Sequence, residues 1–121
     1  MKIEKFEEIE AWKEARKLVK DLYCGFSKCR DFAFMGQIQR AGISIMSNIA
    51  EGFERNTNKE FINFLSISRG SLAEVKSLLY AANDIGYIDK SLFDQLFARV
   101  LAVNGLFNGF ISYLKNHIKR K

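Results

Sequence analysis

The chain of 121 residues contains no proline, one histidine, one tryptophan and two cysteines. Without proline, no position has its φ locked or its backbone donor removed, so long helices meet no built-in stop. Cys24 and Cys29 have only His117 as a further nitrogen ligand. Neither a zinc site nor a disulfide framework is therefore supported, and the expectation is free, buried or half-buried thiols with no metal or cofactor. β-Branched alternation is scarce, which argues against strands. With no strand there is no strand-to-helix glycine loop to cradle a phosphate. His117 sits in a basic C-terminal stretch without a nearby acid to orient it, so no general base stands out and the chain reads as non-enzymatic.

Two further absences bear on location. MKIEKFEEIEAWKEARK, at the start, is charged throughout and lacks an apolar export segment, which gives a cytoplasmic expectation. The most apolar stretch, Val100 to Leu114, is interrupted by Asn104, Asn108 and Ser112 and is short for a bilayer, so no membrane partner is expected.

What is present is ordinary for a globular protein: 48% hydrophobic and 27% charged residues. The length fits one domain over residues 1–121 that buries roughly two thirds of its unfolded surface. Eleven phenylalanines promise a bulky core or an extra buried interface. Lys and Arg number 19 against 14 Asp and Glu, a net charge of +5. That balance favours an anionic partner where the charge is clustered.

Apolar residues recur at three and four, the mark of amphipathic helices, and four can be placed. The first runs from about Glu7 to Phe26, with Ala11, Trp12, Ala15, Leu18, Val19, Leu22, Tyr23 and Phe26 on its apolar side. Lys13, Arg16, Lys17 and Lys20 form a stripe on the opposite side, flanked by Glu10, Glu14 and Asp21. The second runs from about Ala33 to Phe53, with Gly52 expected to close it in a left-handed conformation. Thr57 and Glu60 match a capping box that opens the third, which continues to about Asp84. Phe61, Leu65, Ser68, Leu72, Val75, Leu79 and Ala82 step along it with the spacing of a bundle seam. Gly86 is a C-cap candidate and Asp89 an N-cap candidate for the last helix, Ser91 to about Lys119. That helix is apolar on more than one face, more than a bundle of this size can cover by itself, which points to contact between subunits. Short connections make an all-α, antiparallel up-down-up-down four-helix bundle the default architecture.

The second helix tolerates residues that weaken it. Gly42 lies on its buried side and suits internal packing, whereas Ser44, Ser47 and Asn48 fall on the outward side and point to a surface beyond the subunit. Glu51 and Glu74 could pair with Arg40, Arg55 or Arg69, as an inter-helix or inter-subunit network. A second stripe of small residues, Ser66, Gly70, Ala73 and Ser77, marks the third helix. The stripe Lys13, Arg16, Lys17 and Lys20 is the leading nucleic-acid candidate, with Lys115, Lys119, Arg120 and Lys121 of the tail as additions; a solvated helix face is the alternative. Phe34 and Phe53 could stack on bases, with core packing as the plainer role.

QIQRAGISIMSNIAEGFER at 37–55, FINFLSISRGSLAEVKSLL at 61–79 and DIGYI at 84–88 closely resemble the 23S ribosomal RNA intervening-sequence protein family. The leading Phe6, Ile9, Trp12 and Ala15 extend the resemblance over nearly the whole chain. Its most specific elements are Gln39-Arg40-Ala41, Ser44-Ile45, Asn48-Ile49-Ala50-Glu51-Gly52, Arg55 and Gly70-Ser71-Leu72-x-Glu74. One departure is Met46, where the family commonly has proline, so a kink of the second helix does not carry over. The resemblance implies small bacterial four-helix-bundle proteins encoded within insertions of large-subunit rRNA genes. It also implies kinship with retroelement accessory proteins that look like five-membered rings and engage nucleic acid and a reverse transcriptase through basic surfaces. The combined expectation is a homo-oligomer, with a pentamer as the size that this kinship implies, that binds structured RNA or DNA. The alternative is an interaction scaffold or accessory subunit that does not touch nucleic acid itself.

Overall fold

The computed structural model describes residues 3–117. Lys119, Arg120 and Lys121 of the basic tail lie outside them. The described chain is all-helical: a 3-10 turn at Phe6–Glu8, then α1 (Glu10–Gly25), α2 (Phe32–Phe53), α3 (Asn58–Ile85) and α4 (Lys90–His117). The helices form a four-helix bundle in which α1 packs on α2, α2 on α3, α3 on α4 and α4 back on α1.

The first helix starts later than its apolar period suggests. Ile9 is extended, with φ −75° and ψ 123°, and its side chain is buried. The break lets Ile9 enter the core while Phe6 folds back edge-on to Trp12, with ring centroids 5.2 Å apart. Phe26 lies just past the C-terminal end of α1 yet is buried, whereas Tyr23, expected on the apolar side, is exposed. Cys24 is exposed as well, contrary to the expectation of a covered thiol, and Cys29 is half-buried.

Capping follows local chemistry. The Asp31 carboxylate accepts the Phe34 N–H at 3.1 Å and opens α2, a role its place in a polar connection did not announce. Thr57 accepts the Glu60 N–H at 3.1 Å and Asp89 that of Leu92 at 2.9 Å, as their spacing suggested. Gly86, at φ 92°, closes α3 in the left-handed region, and its N–H and that of Tyr87 return to Ala82.

Gly52 does something else. It stays inside α2, and a Cβ there would lie 2.6 Å from Phe64 Cβ and 2.9 Å from the Phe61 ring. Its missing side chain is what lets α3 approach, so it serves packing rather than termination. Gly42 does the same toward α1, where a Cβ would meet Leu22 at 2.9 Å.

All seven residues of the α3 seam are buried, Ser68 among them. The Ser68 hydroxyl is satisfied by donating to the Ile45 carbonyl at 2.9 Å, so this polar group is buried without an orphan. From α4, Leu96, Val100, Val103, Phe107, Ile111 and Leu114 complete the core. By length and composition α4 would also suffice to cross a membrane, but here one side of it belongs to the core. Its surplus is only partly absorbed. Phe93 and Phe97 stack at 5.1 Å under Tyr80 of α3, while Leu101 stays 50% exposed.

Candidate nucleic-acid interface

Burying Ala11, Ala15, Leu18 and Leu22 fixes the rotation of α1 and turns Lys13, Arg16, Lys17 and Lys20 to solvent. Their neighbours then decide how much of that charge is free. Glu10 meets Lys13 at 3.2 Å and Glu14 meets Lys17 at 3.0 Å, each one turn away. The Arg16 guanidinium lies 5.6 Å from the Trp12 ring centroid. Lys20 has no carboxylate partner among the described residues.

A cation that pattern reading passed over shapes this surface from the other side. Arg99, on α4, reaches Asp21 at 3.0 Å and Glu14 at 3.4 Å, so Asp21 serves the contact between helices instead of flanking the stripe. The Lys17 hydrogen bond, with its charge and that of Arg99, holds the Glu14 carboxyl below the usual carboxylate range against partial desolvation. The signal available in the sequence was a lone arginine within an otherwise apolar stretch. Lys115 is exposed in the last turn of α4, and no ion pair or hydrogen bond ties it to the α1 stripe.

The second group of candidate residues lies along the α2–α3 seam. Ser44 and Asn48 are not outward as expected. The Ser44 and Ser71 hydroxyls stand 2.8 Å apart across the seam, and the Asn48 amide donates to the Ser44 carbonyl and hydroxyl at 2.9 and 3.0 Å. The small residues keep the two helices close enough for these bonds, a role within the subunit; Ser47 alone of the three is exposed. Glu51 pairs with Arg55 on its own helix at 2.9 Å, and Arg55 also covers the Phe64 ring at 4.6 Å. Glu74 accepts instead from Gln37 at 3.3 Å, and Arg69 donates to Asn108 of α4 at 3.0 Å. Within the subunit, then, the anticipated Glu–Arg pairing is met by Glu51 and Arg55, four residues apart, while Glu74 and Arg69 reach amide groups of other helices. Arg40 is exposed on α2, and Gly70 is exposed with open space where a Cβ would sit.

Phe34 packs between Phe26 and Tyr87, and Phe53 against Phe61, so both serve the core. Among the described residues no cluster of three or more His, Cys, Asp or Glu could hold a metal.

A family model described as 23S rRNA-intervening sequence protein matches residues 7–109. The chain belongs to that family. The matched span runs from the 3-10 turn into the last third of α4 and takes in both the α1 stripe and the α2–α3 seam. A crystal structure at 1.70 Å of a protein with unknown function from the S23 ribosomal protein family of Bacteroides thetaiotaomicron VPI-5482 shares the fold of this intervening-sequence family member, with a TM-score of 0.73. It is 24% identical, and the alignment covers 84% of this chain and 94% of that one. No curated protein matches the sequence.

Proposed function

We propose that this member of the 23S rRNA-intervening sequence protein family is a non-enzymatic, self-associating four-helix bundle that binds nucleic acid through cationic surfaces repeated around the assembly. The carrying observation is the outward row Lys13, Arg16, Lys17 and Lys20, held in register by the burial of the opposite face of α1. An antiparallel up-down-up-down arrangement is supported by the order of contacts. Gly42 faces Leu22 while Phe34 faces Phe26, and Gln37 meets Glu74 while Gly52 meets Phe64. Numbers rise on one helix as they fall on its neighbour.

Self-association is supported by α4. Ala98, Leu101, Ala102, Gly105 and Gly109 are all exposed, and both glycines face open space. Glycine in a helix interior costs about 1 kcal/mol against alanine, and close approach by another chain would offset it. A repeated patch then multiplies weak phosphate contacts, each linked to counterion release. Affinity for a short RNA duplex should fall steeply with salt, and the slope should flatten when Lys13, Arg16, Lys17 and Lys20 become alanine. Binding unchanged by the four substitutions would overturn this reading.

A second reading, an interaction scaffold or accessory subunit without direct nucleic-acid contact, draws support from the pairing of Lys13 and Lys17 with carboxylates. The half-exposed Ile43 and Ile67 beside the α2–α3 seam favour it too. A protein partner held there would show little salt dependence.

A further inference from the structure

Resting on the nucleic-acid reading above, we infer that the pole of the bundle formed by the end of α1 and the start of α2 takes unpaired nucleotides, with Lys20, Lys28 and Arg30 on the phosphates and Tyr23 and Phe32 stacked on bases. Two of the four stripe cations are already occupied by Glu10 and Glu14, and these two lie nearer the start of α1. The free charge is displaced toward the other end. Lys20, Lys28 and Arg30 are exposed there and have no carboxylate partner among the described residues. The two acids in this stretch are engaged elsewhere, Asp21 by Arg99 and Asp31 by Tyr87 and the α2 cap.

Aromatic surface is uncovered at the same pole. Phe32, the first residue of α2, is 67% exposed, and Tyr23, one turn beyond Lys20 on α1, is 45% exposed. Phe32 is not on a loose tip. The cap bond of Asp31 to Phe34 N–H and its 2.6 Å bond from the Tyr87 hydroxyl fix the backbone that carries the ring. Rings held outward among unpaired cations suit a strand whose bases are free to stack, and such contacts read neither base identity nor the sugar. A paired duplex offers the phosphates alone.

The test uses the full chain, fluorescence anisotropy, and two labelled probes: a 12-nucleotide single strand, as RNA and as DNA, and a blunt duplex. Y23A/F32A should weaken binding of either single strand at least tenfold while leaving the duplex within about twofold. F32W should retain single-strand affinity, and F32L should lose it as F32A does, which separates stacking from plain apolar contact. Both positions are exposed, so the variants should keep wild-type circular dichroism. Equal effects on strand and duplex, full affinity in F32L, or more than tenfold preference for one sugar would overturn the inference and leave the broader reading standing. K20A/K28A/R30A should weaken all probes, and loss of binding to none of them would overturn the placement of phosphates at this pole.

Discussion

The Tyr87 hydroxyl donates to the Asp31 carboxylate at 2.6 Å, tying the connection between α3 and α4 to the first turn of α2. Tyr87 also packs edge-on to Phe34 at 5.3 Å, so one side chain clamps two loops and a cap. The bond, first, and then the Phe34 N–H hold the Asp31 carboxyl below its ordinary range, and the same bond raises the Tyr87 phenol. A carboxyl with a lowered folded pKa adds stability above its unfolded value and loses it as pH falls through the folded one. A phenol with a raised folded pKa adds stability below its unfolded value and loses it as pH rises through the folded one. The clamp therefore acts on the broad plateau between the two. Y87F should lower the thermal midpoint near neutral pH, and the gap from wild type should close once acid has protonated Asp31. A gap that persists unchanged at low pH would place the effect in packing and not in this bond.

Glycines of opposite kind give a paired prediction. G52A would drive a methyl into Phe64 and Phe61 and should destabilise by about 1–3 kcal/mol in urea unfolding. G70A meets open space on an exposed helix face and should stabilise the isolated subunit by about 0.5–1 kcal/mol. The difference in sign separates a glycine required by packing from one with no packing role inside the subunit.

On α4 the two exposed glycines bear on assembly. G105A and G109A should each strengthen the helix by up to about 1 kcal/mol while shifting the mass seen by light scattering toward the monomer. A wild-type chain that is monomeric at micromolar concentration would remove the basis of the self-association proposal.

Arg99 supplies a weaker but salt-sensitive test. R99A severs two contacts between α1 and α4 whose members are partly solvated, so the expected loss is about 0.5–1 kcal/mol at low salt. High salt should shrink it, since partly exposed pairs are screened. A loss of several kcal/mol, independent of salt, would mean that the arginine stem packs more than its charge binds.

Much of the fold was legible in the residues. The α3 seam repeats so regularly that every one of its seven positions is buried, and Gly86, Thr57 and Asp89 announce helix ends because their chemistry acts within one turn. Less was legible where the partner is distant in sequence. Ser44 and Asn48 read as outward by rotation alone, yet Gly52 draws α3 so close that what would be rim becomes seam. Arg99 and Asp21 are 78 residues apart, and no local pattern pairs them. The basic stripe was visible as a row of cations, but how far carboxylates mute it depends on rotamers that spacing does not fix.

Ile3 and His117 border one hollow together with Phe53 and Tyr113. Ile3, ahead of α1, and His117, in the last turn of α4, thus belong to one pole of the bundle, the one away from Phe32. A reporter attached at either of these two positions would ride on that pole and leave the aromatic one clear.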